Sequence, residues 1–340
     1  MDWYLTYFYS AFGIILFMTG SINKPIHVVA AVIRNGYGKI LLAQRSLRCP
    51  HLPGYWEFPG GKVEAGETSQ QALVRELQEE IAITATKLTP LIQVPYSYPE
   101  KEIFLDVWEV DQYMGEIKSH EGQELVFVDL DEIANYKLPA ADVPVITALQ
   151  LPHTYLITPD PADYSLEEFE SSLRASLQSG CRMVQLRSKK LDKIELKPYL
   201  VSAKDICQQY DARLLINGDV ELYQEYGLDG IHLTSNQLVK GELGFNRRRK
   251  EDLIAASCHS SAELIKAEEM KVDFALLSPV KATKTHPDAE SIGWQKFADA
   301  VRLISMPVYA LGGLVRSDLP AARDNGAQGI AAIRGLWLES

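Results

Sequence analysis

The 340-residue sequence predicts an α/β protein of two domains, a mixed sheet with at least one helix followed by a (β/α)8 barrel. Three observations carry this expectation. The length exceeds that of one small domain. The rhythm of apolar runs changes at Pro152 and at the Pro159-Asp160-Pro161 turn. Beyond that point, eight strand-like runs alternate with helix-length segments over about 185 residues.

In the first half, 26–34 (IHVVAAVIR) and 39–44 (KILLAQ) flank Asn35-Gly36 and read as a hairpin. Segments 102–110 and 124–130 are further strands. Thr68 to about Ile81 reads as a helix, with Thr68 and Gln71 placed for a capping box. This domain ends near Leu149. The barrel strands are TYLIT (154–158), RMVQLR (182–187), RLLIN (213–217), GIHL (230–233), AASCH (255–259), FALLSPV (274–280), PVYALGG (307–313) and GIAAIRG (329–335). An open doubly wound sheet is the alternative arrangement of the same runs. The organisation is therefore an apolar extension at 1–25, a first domain at 26–150 and a second at 151–340.

The apolar fraction of 46% and charged fraction of 23% are those of an ordinary soluble protein. A net charge of −11 argues against a nucleic-acid polymer as partner, since no surplus of Lys and Arg neutralises phosphates. A small phosphorylated substrate is compatible with it. Cys49, Cys181, Cys207 and Cys258 lack metal-ligand spacing and read as reduced thiols of a cytoplasmic protein. Trp3 to Met18 is nearly uncharged, short for a membrane span and without signal-peptide features. We read Met18 as the initiator, with a membrane anchor as the alternative.

Glu76, Glu79 and Glu80 share one arc of the predicted helix, beside an apolar arc of Leu73, Leu77 and Ile81. Three like charges so close destabilise a helix unless a cation resolves them. Hard oxygen donors beside a phosphate substrate point to Mg²⁺ or Mn²⁺.

This stretch resembles the Nudix box: Gly61, Glu67, Arg75, Glu76, Leu77, Glu79, Glu80 and Ile83 match in register, and Ala82 stands in place of Gly. The resemblance implies an α/β/α sandwich with Glu76, Glu79 and Glu80 as metal ligands, joined by the Gly60 carbonyl. Arg75 would hold Glu67 and orient the glutamates. Either Glu76 or Glu121 would accept the proton of the attacking water; the sequence does not separate them. WEFPGGK (56–62), HEGQE (120–124) and LPAADVPVI (138–146) resemble the MutT-type 8-oxo-dGTP diphosphatases in particular, which implies a role in nucleotide-pool sanitation for DNA repair and replication. Carried across, Glu121 is a further ligand or base, Arg45 a phosphate or sugar contact and Phe58 a wall of the base pocket. Asp142 stands where that subfamily commonly has an Asn reading the oxidised purine.

Residues 154–337 resemble the thiamin phosphate synthase and TenI (thiazole tautomerase) superfamily, a TIM-barrel family. The matching pieces include QLRSK (185–189), LING (215–218), SCHS (257–260), ALGG (310–313) and GAQGIAAI (326–333). The resemblance implies a phosphorylated thiazole or pyrimidine ligand. Gln185, Arg187 and Lys189 would form a basic clamp, and Gly312 and Gly313 would line a phosphate site. Thr283 and Thr285 would donate hydroxyls. Two metal-binding acids of the synthases are missing: Asn217-Gly218 and Thr234 to Gln237 occupy their places, with Asp219 displaced by one. A lysine of the synthases is replaced by His286, beside Lys284. Asn217 and His259, in Ser-x-His-Ser, resemble the tautomerase branch, in which the histidine shuttles a proton.

For the whole chain the leading expectation is an Mg²⁺-dependent nucleoside triphosphate pyrophosphohydrolase acting on 8-oxo-dGTP. One alternative is hydrolysis of thiamin-related diphosphates, with the barrel serving thiamin synthesis or salvage. Another is a barrel that only senses a ligand.

Overall fold

The computed structural model describes residues 24–241, 245–283 and 290–339. The apolar extension to residue 23, Lys284, Thr285 and His286 lie outside them.

Strand β1 (Ile26–Ile33) is almost continuously apolar because both its faces are buried. Val29, Ala31 and Ile33 pack with Leu73, Leu77 and Ile81 of helix α1 (Ser69–Ile81). Ala30 and Val32 on the other face join Val145 and Ala148 of helix α2 (Val143–Gln150). Alternation along one strand thus produces the α/β/α sandwich. Strands β4 (Gly60–Lys62), β1, β6 (Lys101–Gly115) and β5 (Ile83–Tyr98) form a mixed sheet in that order, with β1 and β6 parallel. Strands β3 (Trp56–Glu57), β2 (Ile40–Gln44) and β7 (Leu125–Val128) form a second, antiparallel sheet.

The expected hairpin at Asn35-Gly36 requires correction. Asn35 does turn the chain, its Oδ1 accepting from the Tyr37 and Lys39 amides. Only Arg34 and Ile40 then bridge, and β1 and β2 part into different sheets. The segment expected as 102–110 extends over Lys101–Gly115. Its partner β5 is the long strand that the sequence conceals. Pro90 and Pro95 interrupt its pattern, and they are tolerated because β5 is an edge strand.

Helix α1 begins with the anticipated capping box between Thr68 and Gln71. It ends at Ala82 in the left-handed region, φ 63° and ψ 24°. Ala costs roughly 1 kcal/mol there relative to Gly, and no functional group is lost.

All eight predicted barrel strands form and close, which excludes the open sheet. In chain order they are β8 (Thr154–Ile157), β9 (Met183–Leu186), β10 (Arg213–Asn217), β11 (Gly230–Leu233), β12 (Leu253–Cys258), β13 (Phe274–Leu277), β14 (Val308–Leu311) and β15 (Gly329–Ala332). Helices α3 (Leu166–Gln178), α4 (Lys193–Gln209), α5 (Val220–Tyr226), α6 (Ser235–Lys240), α7 (Ser261–Glu269), α8 (Gly293–Val301) and α9 (Leu319–Asp324) follow the first seven strands in turn. Alternate residues divide two cores. Tyr155 and Tyr309 each meet Phe274 edge to face inside the barrel and are tilted against one another, whereas Leu156, Val184 and Ile330 face the helices. Among the described residues no helix is long and apolar enough to cross a membrane, and none of the four cysteines is in a disulfide.

Candidate functional site

In the first domain the glycine turn and helix α1 build one surface. A side chain at Gly61 would place its Cβ 2.3 Å from the Glu76 carboxyl carbon, so glycine is what lets that carboxylate lie against β4. A Cβ at Gly60 would fall 2.1 Å from the Val29 carbonyl oxygen. Glu80 accepts from the Gly60 amide at 3.1 Å. Burial pushes the Glu80 carboxyl up to about 8, with the nearby charges of Glu57, Glu121 and Glu76 adding to the effect.

Arg75 organises the remaining acids. Its Nε and Nη2 donate to both carboxylate oxygens of Glu67 at 2.8 and 2.9 Å. Its Nη1 donates to Glu76 at 2.9 Å and Glu79 at 3.2 Å. These bonds hold the Glu67 carboxyl down at about 2, helped by the Glu64 amide. The Arg75–Glu67 pairing is thus as the Nudix resemblance implies. The expected ligand set is not yet gathered: Glu76 and Glu79 are turned towards Arg75, and no three His, Cys, Asp or Glu side chains converge as metal donors among the described residues. The donor chemistry nevertheless fits a hard divalent cation. The set is all carboxylate, partly desolvated and mutually repulsive, which is the condition a cation relieves.

Glu121 is exposed, in a loop tied to α1 by the His120 amide and the Gln123 side chain, both donating to the Glu80 carbonyl at 2.9 and 3.3 Å. Sequence reasoning missed Glu57. It pairs with Arg45, and burial raises its carboxyl pKa against the pull of that arginine. Its signal was present in WEFPGGK, one residue before Phe58. Arg45 also donates from Nε to the His51 carbonyl at 3.2 Å. Phe58 is buried in the core with Ala141 and Val145.

Asp142 is the unusual member. It is 5% exposed, sits at the start of α2 without capping it, and its Oδ2 is buried with no hydrogen-bond partner. Burial holds its carboxyl well above the usual carboxylate range, with Glu57 nearby adding to the shift. Tyr98 packs against the core that holds the neighbouring Ala141, and burial pushes its hydroxyl pKa up, with the Asp142 charge adding to the shift.

In the second domain the expected residues gather at the carboxyl ends of the strands, with one division. Gln185 is buried inside the barrel, where its amide donates to the Tyr155 hydroxyl at 3.2 Å. Arg187 is half-buried above it, its pKa lowered by burial. Lys189 is exposed and its backbone amide is held by Asp160 at 2.8 Å. The three side chains thus lie at different depths, buried, half-buried and exposed in turn. Asn217 ends β10 and pairs in register with His232. His232, missed from the sequence within apolar GIHL, is fully buried between the Tyr155 hydroxyl at 3.3 Å and Ser257 Oγ at 2.8 Å. Burial, with the Arg187 charge, pushes it down to about 3. His259 is exposed just beyond β12, its Nδ1 3.2 Å from both the carbonyl oxygen and the hydroxyl of Ser278. Side chains at Gly312 and Gly313 would collide with Pro279 Cα at 2.8 Å and the Ala282 carbonyl oxygen at 2.4 Å, so these glycines let two barrel loops run together close to Thr283. Asp219 caps α5 through the Leu222 amide and lies 3.4 Å from Lys193, so the displaced acid is already engaged.

Comparison with known proteins follows this division. The family model for thiamine monophosphate synthase matches residues 154–336. That for the NUDIX domain matches residues 24–149. The chain is 34% identical over 191 residues to an Aquifex aeolicus protein named "Putative thiamine-phosphate synthase 2", covering 56% of this chain and 100% of that one. It is 43% identical over 125 residues to the CTP pyrophosphohydrolase of Escherichia coli, covering 37% of this chain and 91% of that protein. Identity to the 8-oxo-dGTP diphosphatase of Escherichia coli is 36% over 127 residues, 37% of this chain and 98% of that protein. The chain belongs to the thiamine monophosphate synthase family through residues 154–336 and carries a MutT-like Nudix hydrolase domain at residues 24–149.

Proposed function

We propose that the first domain hydrolyses nucleoside triphosphates to the monophosphate and pyrophosphate, with Mg²⁺ as its cation and 8-oxo-dGTP as its substrate. The buried, unpartnered carboxyl of Asp142 carries the choice of base. Burial favours its protonated form, which presents an O–H donor beside a carbonyl acceptor. Such a pair matches an edge with an adjacent donor and acceptor, as on 8-oxoguanine with its N7–H and O6. Unmodified guanine offers two acceptors there and leaves the Asp142 carbonyl facing a lone pair. Cytosine, with N4–H beside N3, fits equally well. A CTP-type hydrolase is therefore the second reading, favoured by the 43% identity to the CTP enzyme.

The bound cation would polarise the diphosphate and make water a nucleophile at neutral pH. Glu121 is the better candidate to accept the water's proton, because Glu76 is committed to Arg75 while Glu121 makes no ion pair among the described residues. Arg75 orients Glu76 and Glu79, and Glu80 holds the glycine turn.

Comparison of kcat/KM for 8-oxo-dGTP, CTP and dGTP tests the proposal. One of the first two should exceed dGTP by about a hundredfold, the scale set by an unpaired buried polar group. Asp142→Asn, which keeps a donor and an acceptor, should retain that preference, whereas Asp142→Leu should lose it. Equal rates on all three nucleotides would refute base reading by Asp142.

For the second domain we propose binding of a phosphorylated thiazole or pyrimidine at the carboxyl ends of the strands, with Arg187 on the phosphate. A carbonyl beside His259 Nδ1 places the proton there, leaving Nε2 as the base for a tautomerase step. Calorimetry with a thiazole phosphate should give a binding heat that Arg187→Ala abolishes. No heat with the wild-type chain would sink this reading.

A further inference from the structure

Two elements of the Nudix domain lead from its base pocket to the amino-terminal edge of the barrel. Helix α2 begins just after Asp142 and ends at Gln150. Strand β5 ends at Tyr98, which packs against the core that holds Ala141, the neighbour of Asp142. Both share one core, in which Leu91, Ile92 and Val94 of β5 pack with Ala141, Val145 and Ala148.

The barrel grips the far end of each. Gln328, 3% exposed and just before β15, donates from Nε2 to the carbonyls of Ala148 and Leu151 at 2.9 and 3.0 Å. The Ala148 carbonyl also accepts from the Leu151 amide at 3.3 Å, so Gln328 adds a second donor at the last turn of α2. Arg323, 8% exposed at the end region of α9, donates from Nε and Nη2 to the Pro90 carbonyl at 3.2 and 2.6 Å. Its Nη2 also meets Glu109 of β6 at 2.8 Å. Pro90 lies where the β5–β6 register shifts, a bulge that breaks the ladder and turns its carbonyl to the barrel. Ser305, before β14, donates to the Pro95 carbonyl at 2.9 Å.

We propose that the barrel sets the nucleotide selectivity of the Nudix site, with Arg323 and Gln328 as positioning residues that fix β5 and α2 and so the spacing of Tyr98 and Asp142. The inference rests on the nucleotide reading above. An eight-residue helix is a rigid rod of about 12 Å, so a displacement at Ala148 is carried to Asp142 rather than absorbed. The phosphate machinery on α1 and β4 contacts neither barrel residue. Loosening the grip therefore acts on base recognition before it acts on turnover. The barrel's own candidate site lies at the opposite ends of its strands, so the two sites share no channel through this junction.

The test uses the full chain and the variants Arg323→Ala, Gln328→Leu and Glu109→Gln, each shown by its melting curve to be folded at the assay temperature. The readout is the ratio of kcat/KM for the preferred of 8-oxo-dGTP and CTP to that for dGTP. Arg323→Ala and Gln328→Leu should lower the ratio by about fivefold or more, through KM, with kcat within about twofold. A merely structural defect reduces the active fraction and lowers all rates together, leaving the ratio unmoved. If Arg323→Ala does not fold, Gln328→Leu and Glu109→Gln decide. A ratio within about twofold of the wild type in folded, active variants overturns the inference. If the wild-type chain turns over no nucleoside triphosphate, the reading of the pocket itself fails, which is a separate result.

Discussion

Replacing Glu80 with Gln is expected to lower kcat of the Nudix domain by about a hundred- to a thousandfold, the cost of losing one preorganised charge-stabilising group, while raising the melting temperature of the metal-free protein. The two signs have one cause. Glu80 is a partly desolvated carboxyl beside Glu57, Glu121 and Glu76, so ionising it costs the fold, and a bound cation would offset that cost. The amide oxygen of Gln still accepts from the Gly60 amide, so the turn is kept. Relief of about 1 kcal/mol would raise the melting temperature by about 3 °C. Steady-state kinetics in Mg²⁺ and calorimetry in a chelator measure the two halves. An unchanged kcat would remove Glu80 from the site.

Arg75→Lys is expected to reduce kcat/KM by about 10- to 100-fold, the usual cost of losing a residue that orients metal ligands. The Mg²⁺ concentration for half-maximal rate should rise with it. Charge is conserved in this change, so the loss reports geometry. Arg75 serves Glu67 through two nitrogens and reaches Glu76, Glu79 and the Lys62 carbonyl with the same planar group. One ammonium cannot span these directions. Kinetics indistinguishable from the wild type would show that Arg75 supplies only its charge.

Much of the candidate Nudix site was legible because its chemistry is local. Thr68 to Ala82 is one capped helix, and helical spacing alone brings Glu76, Glu79 and Glu80 to neighbouring positions. The barrel strands were equally plain, since each is a short apolar run bounded by turns. The least legible element was β5, whose prolines deny the alternation that marks a strand and are permitted only by its place at the sheet edge. Glu57 passed unnoticed because its neighbours, Arg45 and Glu80, arrive from other elements. His232 was hidden in an apolar run, because the hydroxyls that satisfy it come from β8 and β12.

By itself the sequence determined the two domain folds, the acidic helix with its glycine turn and the lack of two expected acids in the barrel. These depend on periodicity, capping and residue identity within short stretches. Only the tertiary structure decided that Asp142 is a buried carboxyl without a partner, that Gln185 belongs to the barrel interior and that Arg323 and Gln328 hold the Nudix domain. The physical reason is that burial and hydrogen-bond partnership are set by groups far apart along the chain. Arg323 meets a carbonyl 233 positions away, and no local pattern records that encounter.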